Sequence, residues 1–203
     1  MAAGDTKLTI CSDAMIMLGA SPISSFAEAT DASKVADRLY DDVKDTCLQQ
    51  YAWSWSIKKT ALARLESAPT NEWKYAYALP GDILGDPQAL FDSNAVGARP
   101  RRDWEIYGTS IFCNYESVWI DYQAEIDESR MPAYFIRMLK AALASTFAVP
   151  VTDSHQKADY YHSLAFGPPG ENMRGGLMRV AMNIDGGKPT QAFEDFALID
   201  VRG

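Results

Sequence analysis

The feature that most constrains the fold is a long amphipathic stretch, residues 29–62, which ends in a cluster of aromatic side chains. Thr30 or Asp31 is suited to cap a helix N-terminus through its side-chain oxygen. Apolar residues then recur at every fourth position on one face, at Val35, Leu39, Val43 and Cys47. Three large aromatic residues follow, Tyr51, Trp53 and Trp55. The spacing predicts a helix over residues 30–55 as the central element of a helical domain.

Three other segments have the same helical periodicity. They predict helices over residues 5–19, 132–149 and 153–166. Gly19 is suited to end the first helix, because glycine adopts a left-handed conformation at little cost. Pro150 is expected to end the third helix and Asp153 to cap the fourth. Together with residues 30–55, these segments predict an antiparallel helical bundle.

Between the second and third helices the apolar period shortens to about two, which is typical of β-strands. Trp73, Tyr75, Tyr77 and Leu79 alternate with other residues, and the pattern continues from residue 83 to residue 127. The predicted fold class is therefore α+β and predominantly α. An antiparallel helical bundle formed by residues 1–82 and 128–185 carries a small antiparallel β insertion at residues 83–127, and residues 186–203 form an extended C-terminal tail.

The tail begins at Gly186–Gly187–Lys188–Pro189, a sequence that breaks helices. The tail is more apolar than a terminus that makes no contacts. Its apolar residues are Phe193, Phe196, Leu198, Ile199 and Val201. We expect them to dock on a neighbouring subunit or a partner protein, with folding back on the same chain as the alternative.

The net charge of −8 and the pI near 4.7 oppose a broad phosphate-binding surface. Arg99, Arg101 and Arg102 form a local basic cluster in the β insertion, for which a protein or intersubunit contact is favoured over nucleic acid. No apolar run of about 18–20 residues suggests a membrane span, and the N-terminus lacks a signal-type segment. The three widely spaced cysteines are expected to be free thiols in a reducing compartment.

No residue pattern indicates a metal, a cofactor or a catalytic site. His155 and His162 lie seven positions apart on one predicted helix, too far apart to bind one metal alone. Paired carboxylates occur at Asp41–Asp42, at Glu125 with Asp127 and Glu128, and at Glu194–Asp195. Such pairs serve glycosidases as acid and base, but solvated faces and turns explain them better because no apolar pocket is indicated nearby.

Several short motifs nevertheless follow one another in a specific order along the chain. They are Leu18-Gly19-Ala20, Pro22-Ile23, Phe26 with Glu28 and Thr30, Tyr40-Asp41, Leu48, Tyr51, Trp53 with Trp55, and Trp73 to Pro80 with Asp82. In this order and spacing the chain resembles the tail tubular protein A, or head-to-tail adaptor, family of short-tailed bacteriophages. The likeness covers most of residues 8–82 and, more loosely, 131–166. It departs from the family pattern at Gly167 to Gly170, where a continuing helix is expected.

The resemblance implies a structural virion protein without catalytic activity, made in the host cytoplasm. Such an adaptor forms a ring of twelve copies beneath the portal protein and continues the DNA channel towards the tail nozzle, tail tubular protein B. Tail fibres commonly attach at the lower junction, and DNA passes through without specific binding. The alternatives are a virion-associated hydrolase of cell wall or oligosaccharide and an unrelated helical interaction domain.

Overall fold

A computed structural model describes residues 5–67 and 69–187. Within these stretches the chain is mixed α and β, with five α-helices and two small antiparallel sheets. The helices are α1 (Lys7–Met17), α2 (Asp31–Gln49), α3 (Ala133–Thr152), α4 (His155–Phe166) and α5 (Gly176–Gly186). The strands are β1 (Ile57–Ala61), β2 (Tyr75–Ala78), β3 (Ala89–Phe91), β4 (Trp104–Tyr107), β5 (Ser110–Cys113) and β6 (Trp119–Gln123). The predicted tail residues Phe193, Phe196, Leu198, Ile199 and Val201 lie outside the described residues.

The helix α2 starts where the sequence predicts and ends earlier. The Thr30 hydroxyl accepts a hydrogen bond from the Ser33 backbone N–H at 3.3 Å, which caps the N-terminus. The prediction of a helix to residue 55 was wrong, because α2 ends at Gln49. The chain then turns back, and the Trp53 indole N–H donates to the Cys47 carbonyl at 3.2 Å. That bond satisfies a carbonyl of the last helical turn that has no partner within the helix.

The helix α3 is central, since it contacts each of the other four helices. Its buried side includes Phe135, Leu139 and Phe147. Pro150 lies inside α3 instead of ending it, because one missing N–H in the last turn costs less than the packing of the preceding residues on the core. Asp153 does not cap α4 either. Its φ of 48° places it at the end of α3, and Ser154 caps α4 by accepting from the Lys157 N–H.

By length and composition alone, α3 would also be able to cross a membrane. Its apolar window of eighteen residues has a mean hydropathy of 1.3, and 56% of that window is buried inside the protein. Core helices pass the same test.

The six strands pair in two sheets, with the orders β1-β6-β3 and β2-β5-β4. The strand β2 lies where the alternation of residues 73–79 predicts a strand, and β1 also precedes residue 83, so the β structure is not confined to residues 83–127. Side chains from both sheets share one core, among them Leu90, Ile111 and Ile120. Trp55 packs against this core and against the helical core, so the two parts of the chain meet at its side chain.

The helix α5 begins at Gly176, and Gly175 is the residue at its N-cap. Gly176 has a φ of 52°, and a Cβ at this position would lie 2.4 Å from the Leu164 carbonyl oxygen. Only glycine allows this close return of the chain onto α4. The tight connection fixes α5 against α3 and α4.

Candidate functional site

The most elaborate polar cluster of the described chain surrounds Lys44, at the junction between helices and sheets. The Lys44 side chain is only 5% exposed, and its Nζ lies 3.1 Å from Glu125 Oε1, 3.6 Å from Asp41 Oδ1 and 3.8 Å from Glu128 Oε1. Burial lowers the pKa of Lys44, but the hydrogen bond and charge of Glu125, with Glu128 and Asp41, raise it above the ordinary value. Lys44 is therefore a buried cation held by carboxylates of α2 and of the segment that precedes α3.

The same cluster connects α1 to α2. The fully buried Tyr40 donates its hydroxyl to Glu128 Oε1 at 3.1 Å, and burial together with the Glu128 charge raises the pKa of Tyr40. On the other side, Lys7 Nζ lies 3.1 Å from Asp41 Oδ2 and 5.3 Å above the centre of the Tyr40 ring. Alternating charges therefore join α1, α2 and the segment that leads into α3.

A cleft of about 350 Å³ opens beside this cluster, lined by Lys44, Asp82, Glu125, Ile126, Asp127 and Glu128. Asp82 accepts hydrogen bonds from Lys58 Nζ at 2.7 Å and from the Tyr122 hydroxyl at 3.0 Å. The bond from Lys58 lowers the pKa of Asp82, so this carboxylate is held in its ionised form.

This cleft contains the carboxylates that the hydrolase alternative requires, Glu125, Asp127 and Glu128. A general acid in a glycosidase is kept protonated by an apolar environment. Here the lining is mainly charged, and Lys44 forms a hydrogen bond with Glu125 at the base of the cleft. The geometry favours a network that fixes two parts of the fold together over an acid and base pair that acts on a substrate.

The other candidate residues are dispersed. Asp41 belongs to the Lys44 cluster, Asp42 is exposed, and Glu194–Asp195 lies outside the described residues. His155 and His162 are both exposed, and the His162 ring centre lies 5.3 Å from that of Phe166. Within residues 5–67 and 69–187, no group of three or more His, Cys, Asp or Glu residues is arranged to hold a metal ion.

The cysteines Cys11, Cys47 and Cys113 are buried free thiols. Burial raises the pKa of Cys11 and of Cys47 to about 12, and it also raises the pKa of Cys113. Because the thiolate is the reactive form, these side chains are poor nucleophiles at neutral pH.

The predicted arginine cluster of the β insertion is divided by the structure. Arg101 is bound within the chain: its Nη2 lies 2.7 Å from Asp92 Oδ2, and its guanidinium is 5.6 Å from the centre of the Tyr115 ring. Arg99 and Arg102 are exposed and form no salt bridge with any residue that the structure describes. Arg99 and Arg102 are therefore the members of the predicted cluster that the described chain leaves available.

A buried carboxylate, Asp185, was missed by the sequence analysis. It is 3% exposed and accepts hydrogen bonds from the Ser54 backbone N–H at 2.7 Å, the Ser54 hydroxyl at 2.8 Å and the Tyr134 hydroxyl at 2.7 Å. These bonds hold the C-terminal end of α5 against the turn that follows α2. The only signal in the sequence was a lone acid on the apolar stripe of α5, beside Ala181 and Met178.

The aromatic residues after α2 form the centre of the helical core. Trp53 is fully buried, with ring centroid distances of 5.0 Å to Tyr51, 5.1 Å to Phe135 and 6.1 Å to Trp55. Trp53 is therefore a core residue, and its ring is not accessible to a ligand.

No protein-family model matches this chain, and no curated protein matches it. The class of the site therefore follows from its geometry. It is a charged and aromatic junction that joins a helical part to a β part, in which Lys7, Lys44 and Lys58 each pair with carboxylates.

Proposed function

We propose that this protein is a structural component of a phage virion, the adaptor that joins the portal to the tail. In this proposal it assembles in the host cytoplasm as a ring of twelve copies beneath the portal protein. The ring continues the DNA ejection channel to the nozzle, tail tubular protein B, and offers an attachment surface for tail fibres. The helices α1–α4 act as one antiparallel bundle, and the two sheets form the second contact surface.

The observation that carries the proposal is the location of the residues on which the family resemblance rests. Leu18, Tyr40, Leu48 and Trp53 are each at most 1% exposed and pack in one helical core. Residues that recur in order along a family and lie in the core act by maintaining a shape. This supports a scaffold whose function depends on its surfaces, as an adaptor requires.

The charge distribution supports the same proposal. The chain carries a net charge of −8, and Lys44, Lys7 and Lys58 each pair with carboxylates at the junction, which together outnumber them. A ring with excess acidic surface facing the channel would repel the phosphates of passing DNA. Enzymatic activity is not part of the proposal.

The direct test is co-sedimentation of the purified chain with portal particles of the phage that encodes it. We expect saturable binding at a stoichiometry of one chain per portal subunit. A parallel assay measures the release of soluble fragments from peptidoglycan by the wild type and by the Glu125→Gln/Glu128→Gln variant. Absence of portal binding, together with turnover that this variant loses, would replace the adaptor with the hydrolase.

A further inference from the structure

An apolar groove lies between four helices, on the side of α3 away from α2. It has a volume of about 410 Å³ and is lined by residues of α1, α3, α4 and α5, namely Met17, Ala133, Ile136, Arg137, Lys140, Leu164 and Leu177, together with Asp5. Five of these eight lining residues are apolar. A groove of this composition suits a peptide with apolar side chains more than a polar metabolite.

The apolar surface continues from the groove along α5. Leu177, Val180 and Ile184 are spaced by three and four residues, so they share one face of the helix. Val180 is 51% exposed and Ile184 is 49% exposed. On α4, Leu164 also lines the groove and is 36% exposed. A monomeric protein rarely leaves such a run of aliphatic side chains in water unless a partner covers it.

One basic side chain that lines the groove has no ionic partner among the described residues. Lys140 Nζ lies 2.7 Å from Asp13 Oδ2 and 3.8 Å from Asp5 Oδ1. Arg137 is exposed and forms no salt bridge with any residue of the described ranges. An occupant of the groove should therefore combine apolar anchors with carboxylates.

Residues 190–203 of this chain have that composition. They contain five large apolar side chains, Phe193, Phe196, Leu198, Ile199 and Val201, with the carboxylates Glu194, Asp195 and Asp200 among them. The segment follows the C-terminal end of α5, whereas the groove lies at the N-terminal end of the same helix, about 14 Å away at 1.5 Å per residue. Each copy therefore carries one groove and, beyond the opposite end of α5, one segment that fits it.

We propose that the groove binds residues 190–203 of a second copy of this chain. A contact between two different surfaces of identical subunits is heterologous and closes into a ring when the rotation per subunit permits. The phenylalanines and aliphatic residues bury area in the groove and along α5, and the carboxylates pair with Arg137. This proposal rests on the self-assembly that the adaptor function requires, and it concerns only the contact between copies.

Disulfide trapping in the full-length chain tests it. One batch carries Leu164→Cys in the groove, and a second, distinguished by an affinity tag, carries Phe196→Cys in the tail. After mixing and mild oxidation, we expect a covalent dimer of one tagged and one untagged chain. The native cysteines are buried and their raised pKa values make them slow to react. The matched control uses Val96→Cys in place of Leu164→Cys. Val96 is fully exposed and lies outside the groove, so this variant should give no dimer above background.

The double variant Leu164→Cys/Phe196→Cys distinguishes the alternative occupants. A disulfide within one chain, independent of concentration and without mixed dimers, would overturn the proposal in favour of the chain's own tail. In a parallel reaction with portal particles added, a cross-link from Leu164→Cys to the portal and to no second copy would overturn the proposal as well. If trapping fails while rings still form on the portal, the groove proposal falls and the adaptor function stands.

Charge reversal gives an independent measurement. In sedimentation velocity, Arg137→Glu should weaken self-association about tenfold or more, and Glu194→Arg in the same chain should restore it. Arg38→Glu is the matched control, because Arg38 is also exposed on a helix and has no salt bridge among the described residues. Equal self-association of the Arg137→Glu, Arg38→Glu and wild-type chains would contradict the proposal.

Discussion

The substitution Trp53→Ala tests whether the aromatic residues after α2 hold the fold together. Trp53 is fully buried and packs against Tyr51, Trp55 and Phe135 at ring centroid distances of 5.0–6.1 Å. Its indole N–H also donates to the Cys47 carbonyl at 3.2 Å, inside the protein. Alanine removes the ring, leaves a cavity between α2 and α3, and leaves that carbonyl without its partner.

Replacing a buried Trp or Phe by Ala typically costs about 3–5 kcal/mol. The lost hydrogen bond adds roughly 1 kcal/mol, so we expect a cost of about 4–6 kcal/mol in the free energy of unfolding. For a chain of this length each kcal/mol lowers the melting temperature by about 2–4 °C. The expected decrease is therefore roughly 8–24 °C, measured by circular dichroism during heating and by urea titration.

The matched control is Trp73→Ala, the same chemical change at a half-buried site outside both hydrophobic cores. We expect it to cost less than about 1 kcal/mol, in the range of surface substitutions. A melting temperature of Trp53→Ala within 2 °C of that of Trp73→Ala, at comparable urea midpoints, would refute the assignment of Trp53 to the core.

Three further predictions concern charge and assembly. Burial raises the pKa of Asp45, whose Oδ1 is buried without a hydrogen-bond partner among the described residues. Keeping this carboxylate ionised in the folded protein therefore costs free energy. Asp45→Asn should therefore raise the melting temperature at pH 7, and the gain should shrink as the pH falls through the folded-state pKa towards 3.8; an unchanged or lower value at pH 7 would contradict this. Given the net charge of −8, we expect no measurable binding of duplex DNA at physiological salt, and micromolar affinity with a steep salt dependence in a fluorescence anisotropy titration would oppose it. Deletion of residues 190–203 should leave the melting temperature within a few degrees of wild type and abolish stable assembly on the portal. Co-sedimentation of the truncated chain with portal particles at full occupancy would contradict this prediction.

The helical part of the fold was largely predictable, because local signals determine it. The boundaries of α1 and α4 fall within two residues of the prediction, since Gly19 and the Gly167–Pro168 step stop these helices by backbone chemistry alone. The end of α2 was not predictable in this way. Its last turn stops at Gln49 because Trp53 folds back on the Cys47 carbonyl, which is a tertiary contact.

The sheets and the site depended still more on tertiary contacts. The strand β1 pairs with β6, which lies about sixty residues later along the chain, and no local pattern specifies such a partner. Lysine is rarely buried, so the sequence gives no sign that Lys44 is, although it lies in register with the buried Tyr40 and Leu48 at four-residue spacing. Its burial depends on Glu125 and Glu128, whose approach to α2 is visible only in three dimensions.

The adaptor function is tested most directly by electron microscopy of portal particles incubated with the purified chain. The account predicts an additional ring of density on one end of each portal, coaxial with its channel and containing twelve copies. The ring should be absent from portal alone. Portal particles that remain unchanged at saturating concentrations of the chain would contradict the account.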